Sequence, residues 1–190
     1  TKQIELFFDK IRVAQIPINI LAENAPIYDR KFKKTKLPQK IKFNKDDLKK
    51  FKLTEVLKKI LSSPNISSKE WIWEQYDQTV MGDTVEKPGS DSGIVRIHGS
   101  SKAVATSVDS SAIYCYAHPL TGGKQVVCEN WRNLISCGSK PIAITNCLNF
   151  GNPEKEENMG EFVECVEGIN EASKFLDYPV VSGNVSFYNE

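Results

Sequence analysis

The chain has 190 residues, 40% of them hydrophobic and 26% charged, with a net charge of +1. That is enough apolar material for one sizeable domain and a partial second piece. No apolar run approaches the ~20 residues needed to cross a bilayer, and the opening TKQIELFF lacks the layout of a secretory signal. No membrane association is therefore expected, and the cytoplasm is the expected compartment. Thr1 is not an initiator residue, and the sequence stops just beyond a predicted strand, so a piece of a longer polypeptide is expected.

Five cysteines, Cys115, Cys128, Cys137, Cys147 and Cys165, form no CxxC pair, and only His98 and His118 accompany them. That argues against zinc and for buried, reduced thiols. Charge is unevenly spread: residues 1–70 carry 17 Lys/Arg against 8 Asp/Glu, and residues 71–190 carry 8 against 16. The basic excess sits mainly in KFKKTKLPQKIKFNKDDLKKFK (31–52), which has few aromatic platforms and no nucleic-acid motif. A solvated linker is expected there, with no nucleic-acid partner.

In chain order, Lys2–Lys10 reads as a short helix and RVAQIPINIL as a strand, with Pro17 suited to a sheet edge. From Asn44 a helical period returns through Leu48, Phe51, Val56, Leu57, Ile60 and Leu61, capped by Asn44 or Thr54 and ended by Pro64. A second short helix after Ser67 or Ser68 carries Trp71 and Tyr76, and MGDTVEKPGSDSG then reads as a loop. GIVRIHGSSKAVATSVD predicts a hairpin. A helix follows PLTGG, with Val126, Val127, Trp131 and Leu134 inward and Gly138 just past its end. PIAITN predicts a strand, and a longer helix places Met159, Phe162, Val163, Val166, Ile169 and Phe175 at three- and four-residue steps. PVVS supplies the last strand. The whole predicts an α/β fold, a mixed sheet flanked by helices.

Two segments, TNCLNFGNPEK (145–155) and SGNVSFYNE (182–190), follow predicted strands and are rich in amides and hydroxyls. Ligands of open α/β sheets gather beyond the carboxyl ends of strands. Asn146, Asn149, Asn152 and Asn184 suit a hydrated magnesium ion or a phosphate and its sugar, while Gly151 and Gly183 permit close approach. Asn and Gly are equally ordinary turn formers. PLTGGKQ offers a weaker anion site at a helix start, which helix initiation explains as well. Asp109 can help hold magnesium or cap the turn SVDSS, and Glu129 can pair with Arg132 across one helical turn.

The order EQYDQTVMGDTV, VDSSAIYCYAHPLTGGKQ, ENWRN, AITNCLNFGNPEK, VVSGNVSFYNE resembles the phosphoribosylformylglycinamidine synthase subunit II family, of the AIR-synthetase type. Residues 11–30, especially IPINILAENAPIYDR, resemble the end of the carboxyl-terminal domain in that family's first half. The resemblance implies three parts: the end of a preceding domain (1–30), a basic linker and helix (31–66), and an AIR-synthetase-like amino-terminal domain (67–190). Such domains pair sheet to sheet into a barrel-like core.

It also implies an ATP-dependent ligase of de novo purine synthesis, converting formylglycinamide ribonucleotide and ammonia to the amidine. Ammonia would come from a glutaminase subunit, with a small accessory subunit as a further partner. Matched by motif, Asn146 and Gly183 imply ATP contacts, Asn184 a Mg2+ ligand and Ser186 a substrate contact. Asn146 stands where relatives often have Asp, and His118 where many have Asp before the Pro, so no role is assigned to His118. The family's catalytic histidine lies upstream, so no catalytic residue is expected among these 190, and the piece alone is expected to be inactive. The alternative is a scaffold or nucleotide-holding module that docks the glutaminase.

Overall fold

The structure is a computed structural model that describes residues 2–40, 42 and 44–190. The chain divides into two compact units, Thr1–Lys31 and Phe32–Glu190.

The first unit is an antiparallel hairpin of β1 (Gln3–Phe8) and β2 (Ile11–Pro17), followed by one turn of helix, α1 (Ile18–Leu21). The helix expected over Lys2–Lys10 is therefore a strand. Asp9 and Lys10, with φ of 44° and 65°, form a two-residue turn whose left-handed backbone matches the twist of a hairpin. Cross-strand pairing then outweighs the helical spacing of an isolated segment, and Arg12 Nη1 lies 2.8 Å from Glu5 Oε1 across the pair.

In the second unit the predicted Asn44 helix is two helices, α2 (Lys45–Leu48) and α3 (Leu53–Leu61). The Asn44 side chain accepts from Asp46 N at 3.0 Å and caps α2. Thr54 lies inside α3 and caps nothing. The next helix is a single turn, α4 (Glu70–Trp73), which leaves Tyr76 outside. The predicted hairpin forms as β4 (Gly93–Arg96) and β5 (Ala103–Thr106), and the segment read as loop adds a third antiparallel strand, β3 (Thr84–Glu86).

Helix α5 (Ala112–Ala117), not foreseen, leads into α6 (Pro119–Ser136). Strand β6 (Ile144–Asn149), α7 (Glu156–Phe175) and β7 (Val180–Ser186) complete a β-α-β unit with parallel strands. Antiparallel and parallel strands thus form separate ladders rather than one sheet, within the α/β class expected.

The core is the seam between α6, α7 and the start of β7: Val127, Leu134, Ala172 and Tyr178 are buried, and Trp131, Ile144 and Ile169 pack against them. Glycines bring the helices together. A methyl on Gly123 would collide with the Cys165 carbonyl, and one on Gly168 with the Leu120 carbonyl. Gly122 meets the Cys115 backbone in the same way. The two glycines of PLTGGKQ therefore serve helix packing inside α6 rather than an anion at its start, and Lys124 pairs with Glu171. Phe175, expected inward, is 88% exposed at the last position of α7, turned away from the seam that Ala172, Leu176 and Tyr178 fill.

The basic segment is not wholly solvated. Lys33 N donates to Glu156 O at 3.0 Å, Lys33 Nζ reaches Glu156 at 2.9 Å and Glu157 at 3.2 Å, and Thr35 N donates to Glu164 at 3.3 Å. Gly160 makes room for the Lys33 carbonyl, so residues 33–35 lie as a strap along α7. Nor are the thiols uniformly buried: Cys165 is, whereas Cys147 is exposed on the outer face of β6. Cys165 donates to Cys115 and holds that thiol down to about 7, while its own titration is pushed up by the same contact and by burial. No helix among the described residues is long and apolar enough to cross a membrane.

Candidate functional site

The amide-rich residues do not wait beyond the strands; they are inside them. Asn146 lies in β6, and Gly183, Asn184 and Ser186 lie in β7. Pairing in a parallel ladder satisfies their backbone groups and overrides their preference for turns. The register sets Asn146 opposite Gly183, Cys147 opposite Asn184 and Asn149 opposite Ser186, so all four residues sit within three steps of one ladder.

Strand alternation sends their side chains two ways. Ile144, Asn146 and Leu148 are half-buried and face the helices, while Thr145, Cys147 and Asn149 are exposed on the other face. Asn184 and Ser186, in register with Cys147 and Asn149, share that outer face. Asn146 Oδ1 lies directly over Gly183, where a Cβ would displace it. Asn146 also borders a groove of about 610 Å³ along α7, with Asn170, Ser173 and Lys174 on its wall. The structure therefore brings Asn146 to Gly183, and Asn184 to Ser186, on opposite faces of one narrow ladder.

Beyond the strand ends the two predicted loops are tied together. Phe150 N donates to Ser186 O at 2.9 Å, and Asn189 N donates to Phe150 O at 3.1 Å. The Asn189 amide lies 3.0 Å from Ser186 O, 3.1 Å from Ser186 Oγ and 3.2 Å from Phe150 O. Glu190 Oε1 accepts from Lys155 Nζ at 2.8 Å, Asn152 N at 3.2 Å and Asn158 Nδ2 at 3.3 Å. Lys155 first, then the Asn152 amide, holds the Glu190 carboxyl below the ordinary glutamate range. Phe162 of α7 meets Phe150 and Phe187 edge to face, at ring separations of 5.3 and 5.0 Å. Sequence reasoning assigned nothing to Asn189, Lys155 or Asn158. The only signal was their place in the same polar segments.

The remaining candidates take structural posts. Asp109 accepts from Ser107 Oγ at 2.6 Å, Asn130 Nδ2 at 2.7 Å and Asn133 Nδ2 at 2.6 Å, which pins the segment after β5 to α6. Tyr178 Oη completes that network by donating to Asn130 Oδ1 at 2.6 Å; burial, then Asp109, pushes the phenol's titration up. Glu129 accepts from Ser111 Oγ at 3.3 Å rather than pairing with Arg132. His118 caps α6, its Nδ1 accepting from Thr121 N at 3.4 Å.

Residues 89–190 match the family described as AIR synthase related protein, N-terminal domain. The chain is 69% identical over 190 residues to phosphoribosylformylglycinamidine synthase subunit PurL of Pelagibacter ubique, covering 100% of this chain and 26% of that protein. It is 48% identical over 177 residues to the subunit PurL of Azorhizobium caulinodans, covering 93% and 24%. Among solved structures it resembles PurLQS of Thermotoga maritima, with a TM-score of 0.74 and 26% identity over 100% of this chain and 29% of that one. T. maritima PurL complexed with ATP gives a TM-score of 0.69 and 26% identity, over 100% and 28%. The chain spans about a quarter of the length of the curated relatives it matches. With the family match extending over more than half of its residues, this chain belongs to the AIR synthase related family and carries that family's N-terminal domain.

Proposed function

We propose that this chain is part of an ATP-dependent ligase of purine synthesis that converts formylglycinamide ribonucleotide and ammonia to formylglycinamidine ribonucleotide. The observation that carries this reading is the 69% identity, over every residue of the chain, to a phosphoribosylformylglycinamidine synthase subunit. The ATP complex of a structural relative supports ATP as co-substrate, and the PurLQS structure of another supports partner subunits; a glutaminase that delivers ammonia and a small accessory subunit are read as those partners. Residues 1–30 are read as the end of a preceding domain, and the open faces of the strands as surfaces that pair with other sheets of the longer polypeptide.

Within that reaction Asn146 and Gly183 contact ATP, Asn184 supplies a Mg2+ ligand and Ser186 contacts the ribonucleotide. The donor chemistry of Asn184 fits magnesium. It is an exposed amide oxygen on an open face, and magnesium keeps several waters and takes phosphate oxygens beside a few protein ligands. When bound, the ion would offset charge on the transferring phosphoryl group, which neutral Asn and Ser side chains position without neutralising. Because the Asn146 and Asn184 side chains leave opposite faces of a ladder only two strands wide, a nucleotide held at Asn146 meets the metal at Asn184 around the ladder's edge, and their losses should separate. Asn146→Ala should raise KM for ATP, and Asn184→Ala should lower turnover and raise the Mg2+ requirement.

The test is ribonucleotide-dependent ADP release by the full-length polypeptide with ATP, Mg2+ and ammonium. Asn184→Ala and Ser186→Ala should each reduce kcat/KM by about tenfold or more. Turnover unchanged by both would leave the chain a scaffold or nucleotide-holding module.

A further inference from the structure

We infer that Asn189 is a positioning residue that acts through Ser186, fixing its hydroxyl as a hydrogen-bond donor to an acceptor oxygen of the ribonucleotide. The inference rests on the reading of Ser186 as a substrate contact.

Ser186 is the last residue of β7, where ladder pairing gives out and a side chain has the most freedom. Asn189 removes that freedom. Its amide nitrogen lies 3.0 Å from Ser186 O and 3.2 Å from Phe150 O, and two carbonyls identify that atom as the NH₂ group. The same nitrogen lies 3.1 Å from Ser186 Oγ, so its two hydrogens are shared among three acceptors. A serine hydroxyl has one hydrogen and two lone pairs. With a lone pair held by Asn189, the hydrogen must find its own acceptor. Asn189 Oδ1, at 3.5 Å, is far beyond the ~2.7 Å usual for O–H···O. That long contact holds the hydrogen only weakly, so it can turn to a ligand, and a group that takes it at Ser186 must be an acceptor.

The second support is the frame that holds Asn189. Its own N–H bonds Phe150 O, the Phe150 N–H returns to Ser186 O, and the next residue, Glu190, gathers Asn152, Lys155 and Asn158. Ser186 is thereby set against the loop that follows β6. A hydroxyl whose rotor is already set loses less freedom on binding than one that must be ordered.

The experiment is a double-mutant cycle in the full-length polypeptide. Asn189→Ala should raise KM for formylglycinamide ribonucleotide by about tenfold, the effect of one lost hydrogen bond, with kcat and KM for ATP within about twofold of wild type. Ser186→Ala should do the same, and the double variant should be no worse than Ser186→Ala alone. Asn189→Asp keeps the shape, removes both donors and offers the Ser186 hydrogen an acceptor that competes with the ligand, so it should raise that KM at least as much as Asn189→Ala and decides the question if the alanine variant does not fold. Penalties that multiply to about a hundredfold, or an equal rise in KM for ATP together with a lowered melting temperature, would show a merely structural Asn189 and overturn the inference. A wild-type polypeptide that neither binds nor turns over the ribonucleotide would instead overturn the functional reading, and this inference with it.

Discussion

Within the second unit, residues 44–106 and residues 112–190 solve the burial problem differently. In the later region α6 and α7 close on each other through glycine, and Val127, Leu134, Cys165, Ala172 and Tyr178 are buried. Between 44 and 106 only Ser92 is buried among the described residues, and Val85, Val95 and Val104 of the three-stranded sheet are about half exposed. A ladder of hydrogen bonds defines those strands, yet a sheet gains most of its stability from the face it buries. The later region thus carries the packing energy on which the candidate site rests, and the earlier one presents its apolar face outward.

The comparison is most easily broken at the helix crossing. Gly168→Val drives a branched side chain into the Leu120 carbonyl, which sits on the backbone of α6 and cannot turn aside. The expected loss is about 3 kcal/mol or more, read as the unfolding midpoint. Asp109→Ala strands the amides of Asn130 and Asn133 and the Ser107 hydroxyl, for about 2 kcal/mol. Tyr178→Phe removes one 2.6 Å bond in the same network and should cost about 1 kcal/mol. If these three changes proved as mild as surface substitutions, the later region would not be the source of stability.

The sequence carried the later region far better than the earlier one, for a physical reason. The α7 period and the β-α-β order follow from local pattern, so that unit was legible, as was the hairpin around HGSSK. The limits of β6 and β7 were not, because Asn146, Gly183 and Asn184 have turn propensity and become strand only through each other. The first hairpin was misread for the same reason, since its pairing lies outside any one segment. The candidate site residues came from ordered motifs, whereas the opposite-face placement of Asn146 and Asn184 depends on register, which no motif states. The Asn189 and Glu190 contacts needed the two loops brought side by side.

The open sheet supplies a sharper test with a smaller effect. Val104→Thr on β5 keeps a β-branched shape and adds a hydroxyl at a position 52% exposed. In these 190 residues it should move stability by no more than about 0.5 kcal/mol. In the longer polypeptide a loss above about 1 kcal/mol would show that this face becomes covered there, since an added hydroxyl is costly only once it is desolvated.

The smallest expected effect concerns the loop clamp and is read through pH. Glu190 is exposed, so its contacts are screened, but Lys155 and then the Asn152 amide depress its titration below the ordinary 4.5. A carboxyl whose folded value is lowered stabilises the fold above its unfolded value, and that contribution fades as pH falls through the folded one. The gap in melting temperature between wild type and Glu190→Gln should therefore be present near neutral pH and shrink below about pH 4.5. The Asn152 and Asn158 amide resonances should titrate with it in the wild type and not in the variant. A gap that stays constant as the pH falls to about 3 would mean that Glu190 tethers the loops by shape rather than by charge.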